Sequence, residues 1–148
     1  MPIRDVQIAY DEDWPIRHLR SMHTAYGKTG FSEEVLAGLE PILHHSYDLL
    51  WDLNVACLHY LTELIKGEWR HSLTTQYEAR APESMTDLRE GVSCGFPAQQ
   101  HDLPTYHQVL RIGKPHQPNL SILDALCHLG PGTYDYLVRY AHQLYTVV

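Results

Sequence analysis

The sequence predicts an α+β fold that is predominantly helical, built as one domain with one or two short strands. Three observations carry that expectation. Between Ser46 and Ile65 the apolar residues Leu49, Leu50, Leu53, Cys57, Tyr60, Leu61 and Leu64 recur at spacings of three and four, the period of a helix face. The phrase SILDALCHLGPG (121–132) is an apolar run closed by Gly130–Pro131, a natural helix stop. Only two stretches, 3–10 and 72–80, alternate in the way that a half-buried strand does.

Taken in order, IRDVQIAY (3–10) places Ile3, Val6 and Ile8 in partial alternation and predicts a strand. Asp11, Glu12 and Asp13 then precede Trp14 and Pro15. Acids suit the positive end of a helix, and proline is tolerated in its first turn, so a helix is expected from about Trp14 to Tyr26, stopped near Gly27. Ser32 is a suitable N-cap for a short helix through Leu39 that Pro41 ends. The helix 46–65 is the strongest in the chain, with Leu53, Cys57, Leu61 and Leu64 facing inward, Asp48 and Glu63 outward, and Gly67 as its stop. SLTTQYEAR (72–80) predicts a second strand. Residues 81–105 hold five Pro and Gly residues and read as an irregular excursion with a turn around Asp87–Glu90. Asn119 is expected to cap a helix from Leu120 to Leu129, and a last amphipathic helix runs from about Thr133 to Tyr145.

Composition narrows the function classes. At 148 residues the chain suits one domain, and its 44% hydrophobic and 20% charged residues are ordinary globular usage. A net charge of −7 argues against a nucleic-acid surface, which needs a basic stripe. No apolar run is long enough for a membrane span, and MPIRDVQ shows no secretory signal. Cys57, Cys94 and Cys127 are odd in number and widely spaced, which favours reduced thiols and a cytoplasmic setting.

The candidate chemistry is polar. The 11 histidines do not form a zinc pattern: His44 and His45 are adjacent, His18 and His23 are five apart, and no HExxH occurs, so no metal ligands are assigned. Ser121 and Asp124 lack a GxSxG elbow, and Cys127 sits within an apolar run as a core residue. Trp14, Trp51 and Trp69 read as core or interface residues. Asn54 on the apolar helix face needs a partner if it is buried.

Three blocks carry a family resemblance: HLRSMHTAYGKTGF (18–31), LLWDLNVACLHYL (49–61) and PTYHQVLRIGKPHQPNLSILDALCHLGP (104–131). They resemble the WbqC-like family of bacteria, whose members show an AYGK-like turn in the first block and a PNLSILD-like phrase in the third. Two departures stand out. No HQPxYLP-like N-terminal segment is present, so the sequence is expected to correspond to the middle and C-terminal part of a family member. LRIGKPHQPNLS also replaces an aromatic stretch before PNLS.

The resemblance implies a cytoplasmic protein of surface-glycan (O-antigen type) biosynthesis, an acyl- or aminoacyl-type transferase acting on a sugar precursor. The alternative is a non-catalytic assembly or binding module of the same pathway. It supplies no agreed catalytic set and no cofactor. The residues nominated with it are His18 and Asp124 as catalytic groups, and Tyr26, Lys28, Tyr106, Gln108, Asn119 and Ser121 as ligand-binding groups. An imidazole at His18 suits general-base work, and a helix start at Asn119 and Ser121 offers donors to an anion or carbonyl. A fold lacking its N-terminal cover would expose apolar surface, so a homo-oligomer is expected, with Tyr136, Tyr140 or Tyr145 in its interface.

Overall fold

In the computed structural model, which describes residues 2–66, 70–74, 76–82, 84–85, 104–118 and 120–145, the chain is predominantly helical. The elements are α1 (Trp14–Tyr26), α2 (Ser32–His44), α3 (Leu50–Ile65), α4 (Ile122–Leu129) and α5 (Thr133–Tyr145), with short 3₁₀ turns at Ile3–Asp5, Val109–Arg111 and Gly130–Gly132. The turn expected at Asp87–Glu90, the stop at Gly67, and Trp69, Cys94 and Asn119 lie outside the described residues.

Helix α1 keeps its expected bounds, with Pro15 in the first turn and the Gly27 N–H closing on the His23 carbonyl at 2.9 Å. Helix α2 runs past Pro41 to His44 rather than stopping before it. The lost hydrogen bond falls in the last turn, and continuing the helix buries Leu43 against Leu19 and Leu53. Helix α3 starts at Leu50, later than expected, and ends on Lys66 in the left-handed region at φ 58°.

Neither expected strand forms among the described residues. Residues 3–5 are a 3₁₀ turn, and the only extended pairing there is an isolated antiparallel bridge between Gln7 and Leu49. Ile8 N–H donates to the Asp48 carbonyl at 3.0 Å and Leu50 N–H to the Val6 carbonyl at 2.9 Å. The alternation therefore serves to lash the N-terminal arm to the start of α3. Ile3 stays exposed.

Two apolar clusters form the core. The first joins Val35, Leu36 and Leu39 of α2 to Leu126 and Cys127 of α4; the second joins Leu19, Leu43 and Leu53. Met22 and Cys57 pack against both and make them continuous. Leu53 is buried as expected, whereas Cys57, Leu61 and Leu64 are half-buried at the margin, and Asp48 and Glu63 are exposed. Gly38 sets how closely α2 and α3 approach: a Cβ there would lie 2.2 Å from the Tyr60 ring. In that space Tyr60 Oη reaches the carbonyls of Glu34 and Val35, each at 3.1 Å. Gly130 has φ 52°, and a Cβ would meet the Phe31 ring at 2.4 Å, so the α4 stop needs glycine twice over.

Candidate functional site

Helix α4 starts at Ile122, two residues later than expected. Its N-cap is Ser121, whose Oγ accepts from the Leu123 N–H at 3.3 Å. That start turns Asp124 inward, where it is only 5% exposed. Its Oδ2 accepts from Tyr106 Oη at 2.6 Å and from Gln108 Nε2 at 3.1 Å. Among the described residues no Lys or Arg comes within ion-pair distance of this carboxylate, so hydrogen bonds carry its stabilisation.

Segment 104–118 has little regular structure, and side chains hold it. Gln108 clamps the backbone of Gln117 from both ends of its amide: Nε2 donates to the carbonyl at 3.0 Å, and Oε1 accepts from the N–H at 2.8 Å. His128 latches the same segment to α4. Its Nε2 lies 3.0 Å from the Val109 backbone nitrogen, which only donates, so Nε2 is bare. Nδ1 then carries the proton and donates to the Asp124 carbonyl at 2.7 Å. The 3.7 Å approach of Nδ1 to Asp124 Oδ1 is too long for a hydrogen bond.

The Tyr106 ring is boxed by aromatic edges, with His116 at 4.9 Å, Tyr136 at 5.1 Å and His128 at 5.7 Å. Burial raises the Tyr106 phenol well above its ordinary range, and the Asp124 hydrogen bond and charge raise it further. Tyr26 stands edge-on to His128 at 6.4 Å. Its phenol is raised by burial first and then by the charge of Asp124. Cys127 is wholly buried, and burial pushes its thiol up to about 11. That suits a core residue rather than a nucleophile.

The structure thus brings Tyr26, Tyr106, Gln108 and Asp124 together. His18 stands elsewhere. It lies eight residues before Tyr26 on α1, roughly 12 Å along the helix axis. Its ring meets Trp14 edge-on at 5.3 Å and lines a cavity of about 400 Å³ with Gln7, Ile8, Leu43, Leu53, Asn54 and Cys57. Asn54 is exposed in this setting, so its amide needs no buried partner. Lys28 is exposed beyond the end of α1, and Ser121 is an exposed cap.

A second cavity, of about 160 Å³, lies beside the cluster and is lined by Tyr106, Gln108, Arg111, Lys114 and His116 among others. His116 and His128 are site residues that spacing did not single out. The four-residue interval from Asp124 to His128 was the available signal for the second, since it sets both on one face of α4. Among the described residues no three His, Cys, Asp or Glu side chains gather as a metal site, and no helix is long and apolar enough to cross a membrane.

No curated protein and no solved structure shows significant similarity to the chain. The match to a family is extensive: residues 1–92, which include α1, α2, α3 and the whole lining of the His18 cavity, match the WbqC-like protein family. That span exceeds half of the 148 residues, and the chain belongs to the WbqC-like family.

Proposed function

We propose that this chain is a cytoplasmic protein of bacterial surface-glycan biosynthesis that binds a sugar precursor in the His18 cavity and transfers an acyl- or aminoacyl-type group to it. The cavity carries the proposal. Its volume of about 400 Å³ falls within the range of small-molecule sites, and all of its lining lies in the family-matched span. Trp14, held by its stack on Tyr10 at 5.8 Å, adds an aromatic wall for the apolar side of a sugar. Gln7 and Asn54 supply amides for hydroxyl groups, and Leu43, Leu53 and Cys57 suit the apolar part of an acyl donor.

In this reading His18 is the general base. It takes the proton from the acceptor hydroxyl or amine as that atom bonds to the acyl carbon, and returns it to the departing group. Asp124, Tyr106 and Gln108 act as positioning residues that hold segment 104–118 on α4. The chain works as a homo-oligomer, associating through the face of α5 that carries Tyr134 and Val138, both exposed and four residues apart. Tyr136 turns inward to Tyr106, and the side chains of Tyr140 and Tyr145 lie outside the described residues.

The test is a thermal-shift screen of nucleotide sugars and acyl donors against the full chain, followed by turnover assays on any binder. The expected result is that His18→Gln retains the binding shift and loses transfer. The non-catalytic alternative rests on the neighbour that His18 keeps, an aromatic ring rather than an orienting carboxylate. Binding without turnover in the native chain would favour that reading. No shift with any sugar precursor would sink both.

A further inference from the structure

The smaller cavity has a different chemistry, and it stands apart from the His18 site. Arg111, Lys114 and His116 line it together with Tyr106 and Gln108, and no carboxylate is among its lining residues. Arg111 and Lys114 place two cations in its wall on a chain of net charge −7, while the Tyr106 phenol and the Gln108 amide are already spent on Asp124 and Gln117. Its walls are fixed before any ligand arrives. Arg111 Nε donates to the Pro115 carbonyl at 3.2 Å, and the Arg111 and Lys114 N–H groups close successive turns at 2.9 and 2.8 Å. The Gln108 clamp on Gln117 completes the frame.

Arg111 thereby spends its Nε on the loop and keeps its two Nη groups for an anion, the planar fork that suits oxyanions. His116 lines the cavity, yet its Nε2 is closed to solvent and bonded to nothing. A buried polar atom of this kind calls for an explanation. Less than 1 Å² of that atom is open as the ring stands, so it gains a partner only when the ring turns toward the cavity. The volume, about 160 Å³, admits a tetrahedral oxyanion and not a whole nucleotide sugar.

We propose that the cradle formed by Arg111, Lys114 and His116 is a binding site for a phosphate group. Leu110 and Ile112 stand beside it largely exposed, so the phosphate can belong to a soluble molecule or to a lipid headgroup at a membrane surface. Calorimetry with inorganic phosphate, and co-flotation with vesicles of neutral phospholipid with or without anionic phospholipid, distinguish the two sources. The full chain is expected to show one saturable site in at least one arm. Lys114→Gln, at an exposed position, is expected to weaken it roughly tenfold while melting is unchanged, the loss of one charge-assisted hydrogen bond. His116→Gln is expected to weaken it as well. His18→Gln serves as the control and leaves it intact, which keeps this test separate from that of the sugar-precursor cavity. Binding in the anionic-vesicle arm alone, lost in Lys114→Gln, assigns the site to a lipid phosphate. Absence of saturable binding in both arms, flotation independent of anionic lipid, or binding that Lys114→Gln leaves untouched overturns the proposal.

Discussion

Removing a single oxygen, in Tyr106→Phe, tests whether the buried cluster carries stability. Tyr106 Oη donates to Asp124 Oδ2 at 2.6 Å, and the carboxylate has one other side-chain donor, Gln108 Nε2 at 3.1 Å. The substitution keeps the ring and its contacts with His116, His128 and Tyr136, so it creates almost no cavity. It leaves a buried charge with half of its side-chain hydrogen bonds and, among the described residues, no Lys or Arg in ion-pair range. A bond of this class contributes about 1.5–3 kcal/mol. For a slope of about 2 kcal/mol per molar urea, the unfolding midpoint should fall by roughly 1 M.

A double-mutant cycle identifies the partner. In an Asp124→Asn background the same phenol donates to a neutral amide, and its deletion should cost only about 0.5–1.5 kcal/mol. The coupling between the two positions is therefore about 1 kcal/mol or more. Urea unfolding of the four proteins at neutral pH measures it. If Tyr106→Phe costs the same in both backgrounds, the carboxylate does not hold the phenol and the cluster does not work as described.

Three further outcomes are expected. Leu36→Ala, at a core position 1% exposed, should cost about 2–5 kcal/mol by urea unfolding, and a loss below about 1 kcal/mol would place the core elsewhere. Ser121→Ala should cost about 1 kcal/mol while Ser121→Asp keeps most of the stability, because an aspartate also accepts from the Leu123 N–H. Alkaline unfolding should be steep: Cys127 is raised from 9.0 to about 11 and Tyr106 is raised above 10.0, so both contribute stability below their ordinary values that is lost as pH rises through the raised ones. Melting followed from pH 8 upward should therefore decline above about pH 9, and Tyr106→Phe and Cys127→Ala should each flatten that decline; an unchanged slope in both would exclude these groups.

The helices were legible because each carries its own signal, and the strands were not because a strand needs a neighbour. The three-and-four spacing of α3 and the acids and Pro15 ahead of α1 act within one segment. The alternation at 3–10 is a local pattern whose meaning depends on what lies alongside, and only Gln7 meets another backbone in ladder fashion. Pro41 departs from expectation for a related reason: its local cost is visible in the sequence, whereas the compensating burial of Leu43 requires two other helices. At the start of α4, Asn119 and Ser121 are both good capping types two residues apart, and the choice of Ser121 follows from which N–H groups the turn presents. Tyr106, Gln108 and Asp124, expected in one site, do meet; His18, expected to pair with Asp124, lies about two turns of α1 away from Tyr26, the residue of that helix at the cluster.

That separation has a mechanical consequence. Every residue lining the His18 cavity belongs to the N-terminal arm or to α1, α2 and α3, and their packing runs through Leu19, Leu43 and Leu53. The phosphate cradle instead depends on α4, because His128 and Asp124 reach out from that helix to a segment with almost no secondary structure of its own. Breaking the latch with His128→Phe should therefore loosen residues 104–118, seen as faster amide exchange at Val109 and Gln117. Phosphate binding should fall with it, because the cradle loses its frame. The His18 cavity should be unaffected, since none of its lining residues bonds to that segment, and ligand binding there should be retained. Exchange at Val109 unchanged from the native chain would show that the latch does not hold the segment.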